Sequence, residues 1–256
     1  MSRTPTHDFP VVHAVSDSAA VMREDFLDRA TSIMHALGAR GALHLRSSRA
    51  SGKRFFDLAS SLVNVQESTG CWLIVNDRVD VAAAVGARGA QLASHSLQVA
   101  EAKVVAPRLK VGASVHSVEE AIEAEKAGAA WCVAGTVFET PSHAGRGPAR
   151  VVFVERVAAA VGIPVIAIGG VQPSDVPALL EAGAHGVATI RGAGWDTAFD
   201  VPEEEDSMLR TRLVVSADTG FVEPVTRYIS AYDSIAGVER NDHPDGQRGT
   251  SGAGAE

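Results

Sequence analysis

Short apolar runs recur along the chain at 11–15, 42–45, 72–75, 89–92, 110–114, 131–134, 164–168 and 186–190. Val and Ile recur in them and most lack a wet face, as parallel strands buried on both sides do. Between the runs, helical spacing of apolar residues covers 23–37, 53–69, 78–85, 97–106, 118–127, 150–161 and 174–182. Gly38, Gly70, Gly86, Gly128, Gly162 and Gly183 follow six of these segments. Glycine readily takes the left-handed conformation that closes a helix. Eight strands alternating with helices predict an α/β fold, a (β/α)8 TIM barrel. A doubly wound open sheet is the rival that the same alternation allows.

An eighth helix is expected over 223–235, with Pro224 in its first turn and apolar residues at 225, 228, 229 and 232. The barrel then spans 11–238 as one domain, with an insertion around 197–222 that contains the acidic run 200–206. Residues 1–10 read as a flexible N-terminus and 239–256, polar and Gly-rich, as a disordered tail.

The chain has 256 residues, 46% hydrophobic and 21% charged, with a net charge of −8. Its size supports a core without disulfides or metals as staples. The negative balance and the lack of a basic stripe argue against a nucleic-acid partner. A local anion site remains open, because backbone N–H groups bind phosphate without net positive charge. Cys71 and Cys132 have neither metal-ligand nor disulfide spacing. No signal peptide and no membrane-length apolar run is read, so a cytoplasmic protein is expected. Homo-oligomer formation stays open.

Barrels place their chemistry at strand C-termini and the loops that follow. His116 lies where the fifth strand hands over to a helix, with Ser117 and Glu120 in capping-box spacing. A capping turn accounts for Ser117 and Glu120. An imidazole, with an ordinary pKa near 6.5, is suited to taking and returning a proton. His44 and Arg46 alternate along strand two and point toward the mouth together. Asn76 ends strand three, either as a ligand contact or as part of a turn in which Asp77 caps the helix starting at Arg78. Ser114 ends strand five. The loop 139–148, with Thr140, Ser142, His143 and Arg146, reads as a substrate-binding lid. Gly169-Gly170 and Ile190-Arg191-Gly192 follow strands seven and eight, where this fold commonly binds phosphate. No metal-ligand spacing is present.

The segments NDRVDVAAAVGARGAQL (76–92), GASVHSVEEAIEAEKAGAAWCVAGTVFETPSH (112–143), IPVIAIGGV (163–171) and AGAHGVATIRGA (182–193) resemble the family that unites thiamine-phosphate synthase with the bacterial thiazole tautomerase. The resemblance implies a barrel fold, a role in thiamine biosynthesis and a thiazole phosphate ligand. The synthase branch, which uses magnesium to join a pyrimidine diphosphate to a thiazole phosphate, typically shows Gln-Leu-Arg-Glu-Lys at strand two. It also shows an aspartate after strand four and Thr-Pro-Thr-Lys in loop six. This chain has His44-Leu45-Arg46-Ser47-Ser48, Ser96 and Thr140-Pro141-Ser142-His143 at those places. Three charged diphosphate or metal contacts are therefore absent together. The tautomerase branch shares Ser-Val-His-Ser, and its proton-transfer role maps onto His116. The expectation is a thiazole tautomerase with no metal or cofactor. His44, Arg46, Asn76, Ser114, Thr140, Ser142 and His143 would contact the ligand, and Gly169, Gly170, Ile190, Arg191 and Gly192 its phosphate. The alternatives are a magnesium-dependent synthase and a non-catalytic barrel that senses thiazole phosphate.

Overall fold

The computed structural model describes residues 9–138, 150–197 and 222–236. Eight strands form a closed barrel in sequence order: β1 Val12–Val15, β2 Gly41–Leu45, β3 Trp72–Asn76, β4 Gly89–Leu92, β5 Lys110–Val115, β6 Trp131–Ala134, β7 Val165–Ile168 and β8 Gly186–Thr189. Each neighbouring pair is parallel, and β8 closes on β1 with Val12 opposite Val187. The helices are α1 Ser18–Met22, α2 Phe26–Leu37, α3 Gly52–Thr69, α4 Val79–Val85, α5 Val99–Val105, α6 Val118–Lys126, α7 Arg150–Ala160, α8 Val176–Glu181 and α9 Glu223–Ala236. No described helix is long and apolar enough to cross a membrane.

Alternation along each strand separates two apolar cores. Outward residues such as Leu43, Leu45, Leu73 and Val75 pack under the helices. Inward residues, including Ala42, Trp72, Ile74, Trp131, Val133 and Ile166, fill the barrel. Trp131 is fully buried and spans the space above two glycines. A Cβ at Gly112 would lie 2.0 Å from the indole, and one at Gly89 would lie 2.7 Å away. Such approaches exclude any side chain at those positions without repacking. Phe9 closes the lower end, with its ring 5.3 Å from those of Trp72 and Trp131 and 5.7 Å from that of His13.

Some local expectations differ from the structure. The helix expected over 23–37 begins only at Phe26, because Arg23 is extended and its N–H caps α1 through the Ala20 carbonyl. Asp25 then binds Arg23 and Arg29 at the start of α2. Gly38, Gly70, Gly86, Gly128 and Gly183 have positive φ; Gly162 does not. Gly162 instead donates its N–H to Glu125 of α6. The helix expected from 174 opens instead with a single turn over Pro173–Asp175. Gln172 caps that turn through a reciprocal contact with Asp175.

Candidate active site

His116 follows β5 and continues the inward series Gly112, Ser114. Its ring lies at the mouth and is exposed. Ser117 accepts the Glu120 N–H at 3.1 Å, which caps α6 as expected. Glu120 then reaches one residue further back than a standard box and accepts the His116 N–H at 2.7 Å. The ring Nδ1 is 2.7 Å from the Gly135 carbonyl oxygen. A carbonyl only accepts, so Nδ1 carries the hydrogen and Nε2 keeps a lone pair. Backbone and ring are thus both held, and one basic nitrogen is left over.

Asn76 ends β3, partly exposed at the mouth. Asp77 does not cap α4 as one reading of that turn had it. It adopts a left-handed backbone conformation (φ 63°), and its carboxylate crosses to the loop after β4. There Oδ1 accepts the Ala93 N–H at 3.1 Å and the Ser96 hydroxyl. Asp77 and Ser96 are therefore bonded to each other. An aspartate in place of Ser96 would face Asp77 as a like charge and call for a bridging cation. Among the described residues, no three His, Cys, Asp or Glu side chains are grouped to hold a metal. Ser96 thus stands, neutral and bonded to Asp77, where the synthase branch has an aspartate for magnesium.

His44 faces the barrel interior as the alternation requires, but one layer below the mouth. It pairs with Ile74, two residues before Asn76. Only 2% of it is exposed, and protein atoms occupy both ring nitrogens: Nε2 is 2.9 Å from His13 Nδ1, and Nδ1 is 3.2 Å from Asn76 Oδ1. The expectation that His44 touches ligand beside Arg46 is corrected by this depth. Arg46 does reach the mouth, exposed, and forms no ion pair among the described residues. Its backbone N–H is held by Ser16 Oγ at 2.8 Å. His13 Nε2 lies 3.1 Å from the Pro10 carbonyl.

Burial lowers the affinity of both rings for a proton, to a pKa of about 4 for His44 and well below the usual value for His13, where His44 and His185 add to the effect. The unfolded chain therefore takes up protons first as pH falls. Stability is complete above about pH 6.5 and is lost as pH drops from there toward 4, by about 1 kcal/mol per pH unit for each ring. Denaturant midpoints measured across this window should show the slope, and His44→Gln should reduce it. A flat profile would mean that the pair is already charged in the folded barrel.

Ser114 lies on β5 beside β4. Trp131 Nε1–H donates to Gln91 Oε1 at 2.7 Å, and Gln91 Nε2–H donates to Ser114 Oγ at 3.1 Å. Gln91 is 2% exposed. It is a polar residue inside an apolar run, and that oddity was the only trace of this chain in the sequence.

The loops after β7 and β8 carry the residues expected to meet a phosphate. Gly169 and Gly170 have φ of 103° and 65°. A Cβ on Gly169 would lie 2.5 Å from Thr136. Among the described residues, the N–H groups of Gly170, Ile190 and Arg191 have no protein acceptor. The Arg191 guanidinium is exposed and unpaired with any described carboxylate. Gly192 does not fit its expected role as a donor, since its N–H is taken by Thr189 Oγ1 at 3.0 Å. Glycine is needed there for space. A Cβ would lie 2.2 Å from the Tyr228 hydroxyl.

Tyr228, on α9, donates that hydroxyl to the Val171 carbonyl at 2.8 Å and lies 3.4 Å from Thr189 Oγ1. It ties the two loops together from a helix distant in sequence. It was missed because a tyrosine on the apolar face of a helix looks like any core residue. Tyr228→Phe leaves the buried Val171 carbonyl without its donor, a loss of about 1–3 kcal/mol. The expected result is weaker binding of a phosphate ligand by roughly tenfold with turnover of bound ligand retained, measurable by calorimetry and steady-state kinetics.

Thr140, Ser142 and His143 lie outside the described residues, as do nearly all of the 197–222 insertion and the 239–256 tail. The remaining candidates gather at the strand C-termini, with His116, Asn76, Ser114 and Arg46 on one side and the two glycine loops on the other.

Comparison with known proteins agrees with the barrel fold. A family model described as thiamine monophosphate synthase matches residues 12–193. The thiamine-phosphate synthase of Pyrococcus abyssi is 38% identical over 160 residues, covering 62% of this chain and 77% of that protein. That of Desulfitobacterium hafniense is 34% identical over 182 residues, covering 70% and 86%. The solved thiamine phosphate pyrophosphorylase from Pyrococcus furiosus superimposes with a TM-score of 0.70 at 25% identity, covering 90% of this chain and 98% of that one.

Proposed function

Because the chain belongs to the thiamine monophosphate synthase family of thiamine-biosynthesis barrel enzymes, we propose that it works on a thiazole phosphate, as a thiazole tautomerase. The observation that carries this reading is His116, whose Nδ1–H is committed to Gly135 while Nε2 stays basic at the mouth. Nε2 takes a proton from one carbon of the non-aromatic thiazole tautomer, and the imidazolium so formed returns it at another. The ring becomes aromatic and the histidine ends as it began. One base that keeps its proton is sufficient, and such transfer contributes about 10²- to 10⁴-fold to rate. The unpaired N–H groups after β7 and β8, with Arg191, would hold the phosphate.

The names of the relatives favour a second reading, thiamine-phosphate synthase. Against it stand Ser47-Ser48 and Ser96 where the synthase pattern has charged side chains, and Asp77, which is already bonded to Ser96. Transfer from a diphosphate depends on charge neutralisation at the leaving group. Residues that would supply it are replaced by neutral ones.

Magnesium separates the two readings. The expected result is aromatisation of the thiazole tautomer at the same rate with magnesium and with excess chelator. Formation of thiamine phosphate from the pyrimidine diphosphate and thiazole phosphate, dependent on magnesium, would establish the synthase instead. Binding of thiazole phosphate with neither reaction would identify a sensor. The tautomerase as proposed uses no metal or cofactor and is expected in the cytoplasm.

A further inference from the structure

Two hydrogen-bond chains run from the closed end of the barrel to its mouth, and each begins at a group with only one capability. On one side, Pro10 has a carbonyl that can only accept. His13 Nε2, His13 Nδ1, His44 Nε2, His44 Nδ1 and the Asn76 amide follow in order, linked at 3.1, 2.9 and 3.2 Å. If Asn76 turned its oxygen to His44, both ends of the chain would be acceptors. Three links would then need three hydrogens on two rings, and one imidazole would be charged. Burial in the barrel opposes a charged ring. With two neutral rings, the direction is forced. His13 donates from Nε2 to Pro10, His44 donates from Nε2 to His13, and Asn76 donates from Nδ2 to His44. A half-turn of the Asn76 amide satisfies all three links and leaves Oδ1 on the terminal that meets no partner among the described residues.

The opposite chain starts at Trp131, whose indole can only donate. It fixes Gln91 with its oxygen toward Trp131 and its nitrogen toward Ser114. Ser114 Oγ therefore accepts from below, and its own hydrogen, with no acceptor among the described residues, is left for a ligand. Asn76 and Ser114 flank Gln91, since β4 lies between β3 and β5. The floor of the mouth thus has a fixed polarity, an acceptor at Asn76 and a donor at Ser114.

We propose that His13 and His44 are positioning residues that turn Asn76 Oδ1 toward the ligand, so that a ligand carboxylate is rejected at Asn76 and received by the Ser114 hydroxyl. Ser114 and His116 share the inward face of β5 two residues apart. A carboxylate seated on Ser114 brings the ring that bears it next to His116 Nε2. This choice of orientation rests on the thiazole reading above, whereas the polarity of the floor does not.

Two measurements test it. In ¹⁵N-histidine-labelled protein at neutral pH, long-range nitrogen–proton spectra should show His13 and His44 both as neutral Nε2–H tautomers. An Nδ1–H tautomer at His44, or a charged ring in the pair, overturns the forced direction whatever the enzyme catalyses. For ligand orientation, binding of the aromatic thiazole phosphate should be compared with and without its carboxylate. Wild type should prefer the carboxylated form by roughly tenfold. Ser114→Ala should lose the preference and Ser114→Thr, which keeps a hydroxyl, should retain it. His44→Gln, which frees Asn76 to present its amide hydrogens, should change the preference without changing affinity for inorganic phosphate. A preference unaltered in Ser114→Ala overturns the assignment. Lack of turnover in wild type with both measurements as expected would count against the tautomerase alone.

Discussion

Replacing His116 by Asn should lower turnover of the thiazole tautomer by about 10²- to 10⁴-fold, the usual contribution of a positioned acid–base group. Affinity for the ligand should change little. The ring is exposed, and its one hydrogen bond among the described residues, Nδ1–H to the Gly135 carbonyl, can be replaced by an amide N–H of asparagine. Backbone geometry is held independently, through Glu120 and the Ser117 cap. The measurement is a single-turnover rate on saturated enzyme, with binding followed separately. A variant that aromatises the tautomer at the wild-type rate would remove His116 from the chemistry. A large loss of affinity with normal single-turnover chemistry would make it a binding residue.

Trp131→Ala should have the largest effect on stability, about 3–5 kcal/mol. The indole is fully buried and fills the barrel across Gly89 and Gly112, which have no side chains to move into the space. The same change removes the donor of Gln91 Oε1 and releases the chain that ends at Ser114. Trp131→Phe separates the two effects. It keeps most of the volume and leaves a buried acceptor without its partner, a loss of about 1–3 kcal/mol. Denaturant unfolding of both variants measures the difference. If Trp131→Phe is as stable as wild type, the Gln91 contact contributes little and the indole acts by volume alone.

The barrel could be read from the chain because double-sided burial leaves a plain mark: eight short apolar runs, each separated from the next by a helical pattern. His116, Asn76, Ser114 and the glycine pair were placed at the mouth on that basis, since strand ends are visible wherever an apolar run stops. Height within the barrel was not visible. His44 and Asn76 are both inward-facing, and only the register of β2 on β3, with His44 opposite Ile74, puts one beneath the other. The Asp77–Ser96 bond was equally hidden. It needs the left-handed turn at Asp77, and it joins residues that neither helix nor strand periodicity relates. The start of α2 was placed three residues early because the charged run Arg23–Asp25 suits an exposed first helical turn equally well, while the ion pairs of Asp25 at the start of α2 join residues on either side of it.

The sequence by itself determined the alternation of strands and helices, the glycine turns that close most of the helices, the family and the histidine at the end of the fifth strand. These follow from local periodicity, from backbone freedom and from motifs contiguous in the chain. Tertiary structure decided which nitrogen of His116 is basic, that His44 lies beneath Asn76, and that Tyr228 joins the segments after β7 and at the end of β8. Each of those depends on a partner between 19 and 57 residues away. A hydrogen bond has a direction only when both ends are known, and the closed sheet is what brings the ends together.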